Sequence, residues 1–359
     1  MRRVSYLKLP LHYGSCPRWL FAKMKKLCGL ISEAIIYEYG PEVLLEKLSS
    51  AWWFQAFGCV LGFDWHSSGL TTTVGGALKE ANPILNRYGI YVCGGKAKAA
   101  LKTPQEITHF SSILNQEPGY LIRASRLAAK VDNAALLDGF SLYHHNFIFS
   151  RSNKWIVIQQ GMDKTGRFAR RYHWSSDNLK EFSCEPHKEI ITATHNFTLN
   201  MVAQEAQGAR QTSVWLAQRR PEKNIKELSF LQKSTLPRRH TILLEDINPR
   251  FLPKIFLRTY ESSCHNFSQL LELEGVGPKT IRALALISEL IYGETLSFRD
   301  PARFSFAHGG KDGHPYPVNQ ETYQKSLDIL HKALMKAKIE RSERLHALRR
   351  IYNFYNYHN

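Results

Sequence analysis

Phe140-Ser-Leu-Tyr-His-His-Asn-Phe-Ile-Phe-Ser-Arg-Ser-Asn-Lys-Trp-Ile-Val-Ile-Gln-Gln-Gly-Met162 is the stretch that decides the fold class. Aromatic and β-branched residues fill both halves, and Arg151-Ser152-Asn153 supplies a turn between them. A third such run, 168–174, follows Lys164-Thr165-Gly166, so the segment reads as an antiparallel meander of three strands. Upstream, 17–39 has apolar residues at helical spacing, and Gly40 and Pro41 end it and open the next helix. Further helices are expected at 104–114, 118–136, 197–207, 222–232 and 319–355, and a short strand near 88–93. The fold class is therefore α+β: an N-terminal helical and antiparallel-sheet domain over 1–235, then an all-α domain over 236–359.

The meander also permits a register to be written down. Pairing around 151–153 sets His144 opposite Gln160 and His145 opposite Gln159. Pairing across 164–166 brings Arg170 opposite about Gln159, with Arg171 close by. Polar side chains thus converge from three neighbouring strands of an otherwise apolar sheet. Buried polar groups need partners or a purpose, so the cluster is either a satisfied network or a site. Asp138 lies just before the first strand and Asp132 upstream of it. A carboxylate beside histidines can hold a divalent metal, Mg or Mn, and activate water. In that reading Asp138, His144 and His145 are metal ligands or general bases. Gln159 and Gln160 orient water or substrate, and Arg170 and Arg171 neutralise charge on an attacked phosphate.

A second stretch points to the partner. Leu271-Glu-Leu-Glu-Gly-Val-Gly-Pro-Lys-Thr-Ile-Arg-Ala-Leu284 has the spacing of a helix-hairpin-helix, expected over about 267–293. Gly275 and Gly277 flank Val276 in a turn that allows positive φ and a close backbone approach. Pro278 suits the first turn of the next helix, whose free N–H groups favour an anion. Lys279, Thr280 and Arg282 follow, adding charge and a hydroxyl. The balance of the chain agrees: 48 Lys and Arg against 31 Asp and Glu give a net charge of +17, which favours a polyanion such as DNA. From 331 to 350 seven basic residues stand against two acidic ones, a second candidate contact.

Other classes of function find little support. No apolar run approaches the ~20 residues that span a bilayer, and there is no secretory leader, so no membrane partner and a cytoplasmic location are expected. The six cysteines are scattered without a Cys-x-x-Cys pair, which argues against a zinc ribbon or a disulfide framework. Gly94-Gly95-Lys96 lacks the spacing of a phosphate-binding loop. Asp64-Trp65-His66 and the loop containing His308, Lys311, Asp312 and His314 hold metal-binding residue types, but an Asx turn with an exposed His is the favoured reading of the first, and glycine and proline also serve as turn makers in the second.

Several strings together resemble one family: Leu9-Pro-Leu-His12, Pro17-Arg-Trp-Leu-Phe21, Gly58-Cys-Val-Leu-Gly-Phe-Asp-Trp-His-Ser-Ser-Gly69, Leu142-Tyr-His-His145, Gln159-Gln-Gly-Met162, Ala169-Arg-Arg-Tyr-His-Trp174, Leu236-Pro-Arg-Arg-His240 and His308-Gly-Gly-Lys-Asp-Gly313. They are similar to an uncharacterised family of archaeal and thermophilic bacterial proteins, a domain of unknown function with a helix-hairpin-helix towards its C-terminus. The resemblance implies DNA metabolism and a nuclease-like activity. The expectation is a DNA-binding, metal-dependent nuclease of DNA repair or processing. The alternatives are a non-catalytic repair-accessory protein and an RNA-processing factor.

Overall fold

A five-stranded antiparallel sheet separates two layers of helices. The computed structural model describes residues 16–63, 68–192, 197–235, 247, 252–302 and 320–358. Its strands are β1 (Ile90–Lys96), β3 (Phe140–Ser150), β4 (Trp155–Asp163), β5 (Ala169–Ser175) and β6 (Glu189–Thr192), in the order β1-β3-β4-β5-β6. The short strands β2 (Leu136–Leu137) and β7 (Leu199–Asn200) form a separate pair. Mixed helix and antiparallel sheet is the expected α+β class.

The two sheet faces follow from strand alternation. Phe147, Phe149, Trp155, Val157, Tyr172 and Trp174 point to one core. Ile148, Ile156 and Ile158 point to the other. The second core is completed by α1 (Arg18–Tyr39), α2 (Pro41–Ser49), α3 (Ala51–Leu61) and α4 (Gly69–Glu80). Against the first face lie α7 (Thr103–Ile113) and α8 (Gly119–Lys130), with the short helices α5 (Asn82–Leu85) and α6 (Lys98–Leu101) flanking β1. That core extends through α9 (Gln207–Ala217), α10 (Pro221–Lys233), α11 (Leu252–Glu261), α12 (Phe267–Glu272) and α13 (Pro278–Leu290).

Residue 236, where the second domain was expected to begin, opens a segment outside the described residues. The helices beyond it divide between the cores: α11–α13 join the first, whereas Leu330, Ala333 and Leu334 of α14 (Gln320–Lys336) and Ala347 of α15 (Arg341–His358) join the second. The expected helix at 197–207 is not formed. Leu199 pairs with Leu137, and the Asn200 carboxamide accepts from the Val202 backbone N–H at 3.1 Å, an Asx turn that competes with helix. A short 3-10 turn over Gln204–Ala206 precedes α-helix, which begins at Gln207.

Candidate functional site

The first hairpin has the expected register: His144 faces Gln160 and His145 faces Gln159. The second differs by two residues, Arg170 pairing with Gly161, Arg171 with Gln160 and Tyr172 with Gln159. Adjacent residues of a strand leave opposite faces, so the seven expected site residues do not form one cluster. His145, Gln159 and Arg170 lie on the face of the first core, and His144, Gln160 and Arg171 on the face of the second.

On the second face, Arg171 donates to Gln55 Oε1 at 2.5 Å and stacks over Phe54. Burial pulls its guanidinium down to about 9. Gln160 donates to the Ser68 carbonyl at 3.0 Å and to the Tyr143 hydroxyl. Among the described residues His144 has no hydrogen-bond partner, and burial, then His145 and Lys96, hold its pKa down to about 3. On the first face Asp138 receives a hydrogen bond from Arg170 at 2.8 Å and another from the Tyr172 hydroxyl at 2.7 Å. Arg170 also grips Asp300 (2.6 Å). Burial raises the Asp138 pKa against the opposing pull of Arg170 and Tyr172. Asp138 lies apart from the two histidines, and His144 and His145 leave opposite faces of β3 although both border one cleft, so the three do not fit a shared metal. Among the described residues, no group of three or more His, Cys, Asp or Glu side chains is placed to hold one. Asp64, His66, His308, Asp312 and His314 lie outside those residues.

His145 has a different setting. It is 7% exposed, on the floor of a cleft of about 970 Å³. Its Nδ1 lies 2.7 Å from Gln159 Oε1, and its Nε2 lies 2.8 Å from Ser125 Oγ. Gln159 Nε2 in turn donates to Asp132 Oδ2 (2.5 Å) and to the Ala128 carbonyl (3.2 Å). Asp132 also accepts from Trp174 Nε1 at 3.0 Å and contacts His187 Nε2. Burial lowers the His145 pKa, while Gln159 and Asp132 pull it back up.

The walls of this cleft join the two motifs of the sequence. Arg123, Arg126 and Lys130 of α8 line it together with Glu272, Val276 and Gly277, and Arg123 pairs with Glu272 at 2.8 Å. The glycine turn is built locally. Asn266 caps α12 by accepting from the Gln269 N–H at 2.9 Å, and the Val276 N–H returns to the Leu273 carbonyl at 3.2 Å. Gly275 takes φ +86, whereas Gly277 is extended at φ −142 and caps α13 without a side chain. Only the first glycine is needed for a left-handed backbone. A Cβ at Gly277 would meet nothing within 4 Å. Lys279 is exposed, Arg282 half-buried and Thr280 buried, so the Thr280 side chain turns into the core.

Sequence reasoning missed Ser125 and gave Asp132 no contact with Gln159. Both come from a helix on another layer, and no spacing rule links 125 to 145. The available signal was weak: a serine at a core position of an amphipathic helix. Gly94-Gly95 proves to be part of β1, where Gly94 sits at φ +91 with the His145 carbonyl so close that a Cβ would lie 2.1 Å from it.

No helix among the described residues is long and apolar enough to cross a membrane. No curated protein and no solved structure matches the chain. Residues 5–318 match the family model described as "Protein of unknown function (DUF763)", and the chain belongs to that family.

Proposed function

We propose that this protein binds DNA by its phosphate backbone in the cleft between α8 and the glycine turn, and cleaves it there. One observation carries the reading: a single cleft is lined by three basic residues of α8, by Val276 and Gly277, and by His145 on its floor. In this reading α12, the turn and α13 act as a helix-hairpin-helix. The uncapped N–H groups at Gly277 and Pro278–Thr280 meet a phosphate, and Lys279 adds a charge. Proline contributes no N–H, so the donors come from its neighbours. The net charge of +17 supports salt-sensitive attraction to the polyanion. Neutral His145, held in place by Gln159, is suited to accept a proton. The expected Mg or Mn ligands stand apart, so no step is routed through a metal.

The test pairs fluorescence titration of labelled duplex, single-stranded DNA and RNA over a salt series with nicking assays of plasmid DNA in Mg²⁺, Mn²⁺ and EDTA. DNA affinity that falls steeply with salt, together with strand breaks, supports the reading. Binding without breaks leaves a repair-accessory protein, and preference for RNA of equal length leaves an RNA-processing factor.

A further inference from the structure

We propose that Ser125 is a covalent nucleophile and His145 its general base, an inference that rests on the phosphodiester reading of the cleft. The geometry assigns the protons. Gln159 Nε2 faces two acceptors, the Asp132 carboxylate and the Ala128 carbonyl, so Gln159 Oε1 must be the atom turned to His145. An amide oxygen only accepts, hence His145 Nδ1 carries the hydrogen and Nε2 presents a lone pair. Ser125 Oγ, 2.8 Å away, is then the donor. This is the nucleophile–base–orienter arrangement, with Gln159 as orienter and Asp132 fixing Gln159.

The conformation of Ser125 supports the assignment. A hydroxyl within a helix commonly bonds back to its own preceding turn, as Ser288 does to the Leu284 carbonyl (2.8 Å) and Thr108 to that of Pro104 (3.0 Å). Ser125 turns across to His145 instead and borders the cleft. Arg126, the next residue, is exposed on the same wall and makes no ion pair among the described residues. It stands where charge gathers on an attacked phosphate.

The reaction balances without a co-reactant other than water. Ser125 Oγ bonds to phosphorus as its proton passes to His145 Nε2. The bond from phosphorus to the departing nucleoside oxygen breaks, and that oxygen leaves with the proton from Nε2. Water then attacks the phosphoserine diester, gives a proton to Nε2, and Ser125 Oγ departs with it. The net change is one phosphodiester hydrolysed to a phosphomonoester and an alcohol.

A fluorophosphonate probe tests the nucleophile independently of DNA, since Oγ bonds to phosphorus and fluoride leaves. Peptide mass spectrometry of the full chain is expected to place the label on Ser125, with labelling lost in Ser125→Ala and His145→Ala. Plasmid cleavage by Ser125→Ala should fall by roughly a thousandfold or more. In Gln159→Met the acid limb of the rate profile should move to lower pH, because a bond that favours imidazolium is gone. Wild-type protein that cuts DNA but leaves Ser125 unlabelled overturns the proposal, as does undiminished cutting by folded Ser125→Ala. A labelled Ser125 in a protein that leaves DNA intact upholds the nucleophile and sinks the phosphodiester reading instead.

Discussion

Lys130 Nζ donates to the carbonyl oxygen of Val276 across 2.7 Å, tying α8 to the glycine turn at the cleft. The ammonium satisfies a carbonyl in a tight turn, and burial lowers the Lys130 pKa. Lys130→Met keeps the stem and removes the bond and the charge. It is expected to cost about 1.5–3 kcal/mol in urea denaturation, the range for a bond to a charged group. The slope of log affinity against log salt should become shallower by about one unit, as for one lost phosphate contact.

Gly275 and Gly277 are expected to respond differently to the same change. At Gly275, φ is +86, so Gly275→Val should lower stability by at least about 1–2 kcal/mol, read as a drop in melting temperature. At Gly277 the backbone is extended and no atom lies within 4 Å of a built Cβ. Gly277→Val should melt like wild type yet bind DNA more weakly, because its methyl groups enter only the cleft. Equal loss across DNA sequences is expected, since backbone contacts carry little base information.

Asp138→Asn should act on folding. The carboxylate is fully buried between Arg170 and the Tyr172 hydroxyl, and its loss removes a charged partner that Arg170 holds beside Asp300. Removing one partner of a buried pair costs about 3–5 kcal/mol. Denaturation of the variant should reveal that loss, and any fall in cleavage should track the folded fraction.

Acid should destabilise the protein through its buried histidines. His144 titrates near 3 in the fold against an ordinary 6.5, because burial, then His145 and Lys96, disfavour its charge. His145 and His173 are shifted down as well, burial first. A depressed histidine binds its proton more readily in the unfolded chain, so stability rises with pH across the interval. The contribution is whole above about 6.5 and is lost progressively as pH falls towards 3. Chemical denaturation from pH 8 to 4 should show this fall, and His144→Gln should flatten part of it.

Gly94→Ala should be the most damaging change near the cleft. A Cβ there would lie 2.1 Å from the His145 carbonyl, on a backbone at φ +91. Strand β1 would have to separate from β3, at a cost of about 2–5 kcal/mol from strain and overpacking together. Soluble yield and melting temperature provide the readout.

The first hairpin was legible because its turn and its alternation agree. Once 151–153 is the turn, His144 must face Gln160 and His145 must face Gln159. The second hairpin was two residues out, because its loop is longer: the Phe168 N–H pairs with the Asp163 side chain before the ladder begins at Met162 and Ala169. Even a correct register leaves neighbouring residues on opposite faces. His144 therefore meets helix α4 near Gly75, while His145 meets Ser125 of α8.

By itself, the sequence determined the α+β class, the meander, the glycine turn ahead of Pro278 and the basic balance. Each depends on local periodicity, backbone preference or composition. Only the tertiary structure decided which polar residues work together. Packing of α8 and the π-helical turn Val131–Ala135 after it over one face of the sheet brings Ser125 and Asp132 to His145 and Gln159, and seats Val276 beside Lys130. Those contacts join residues up to 146 positions apart, beyond the reach of any repeat in the chain.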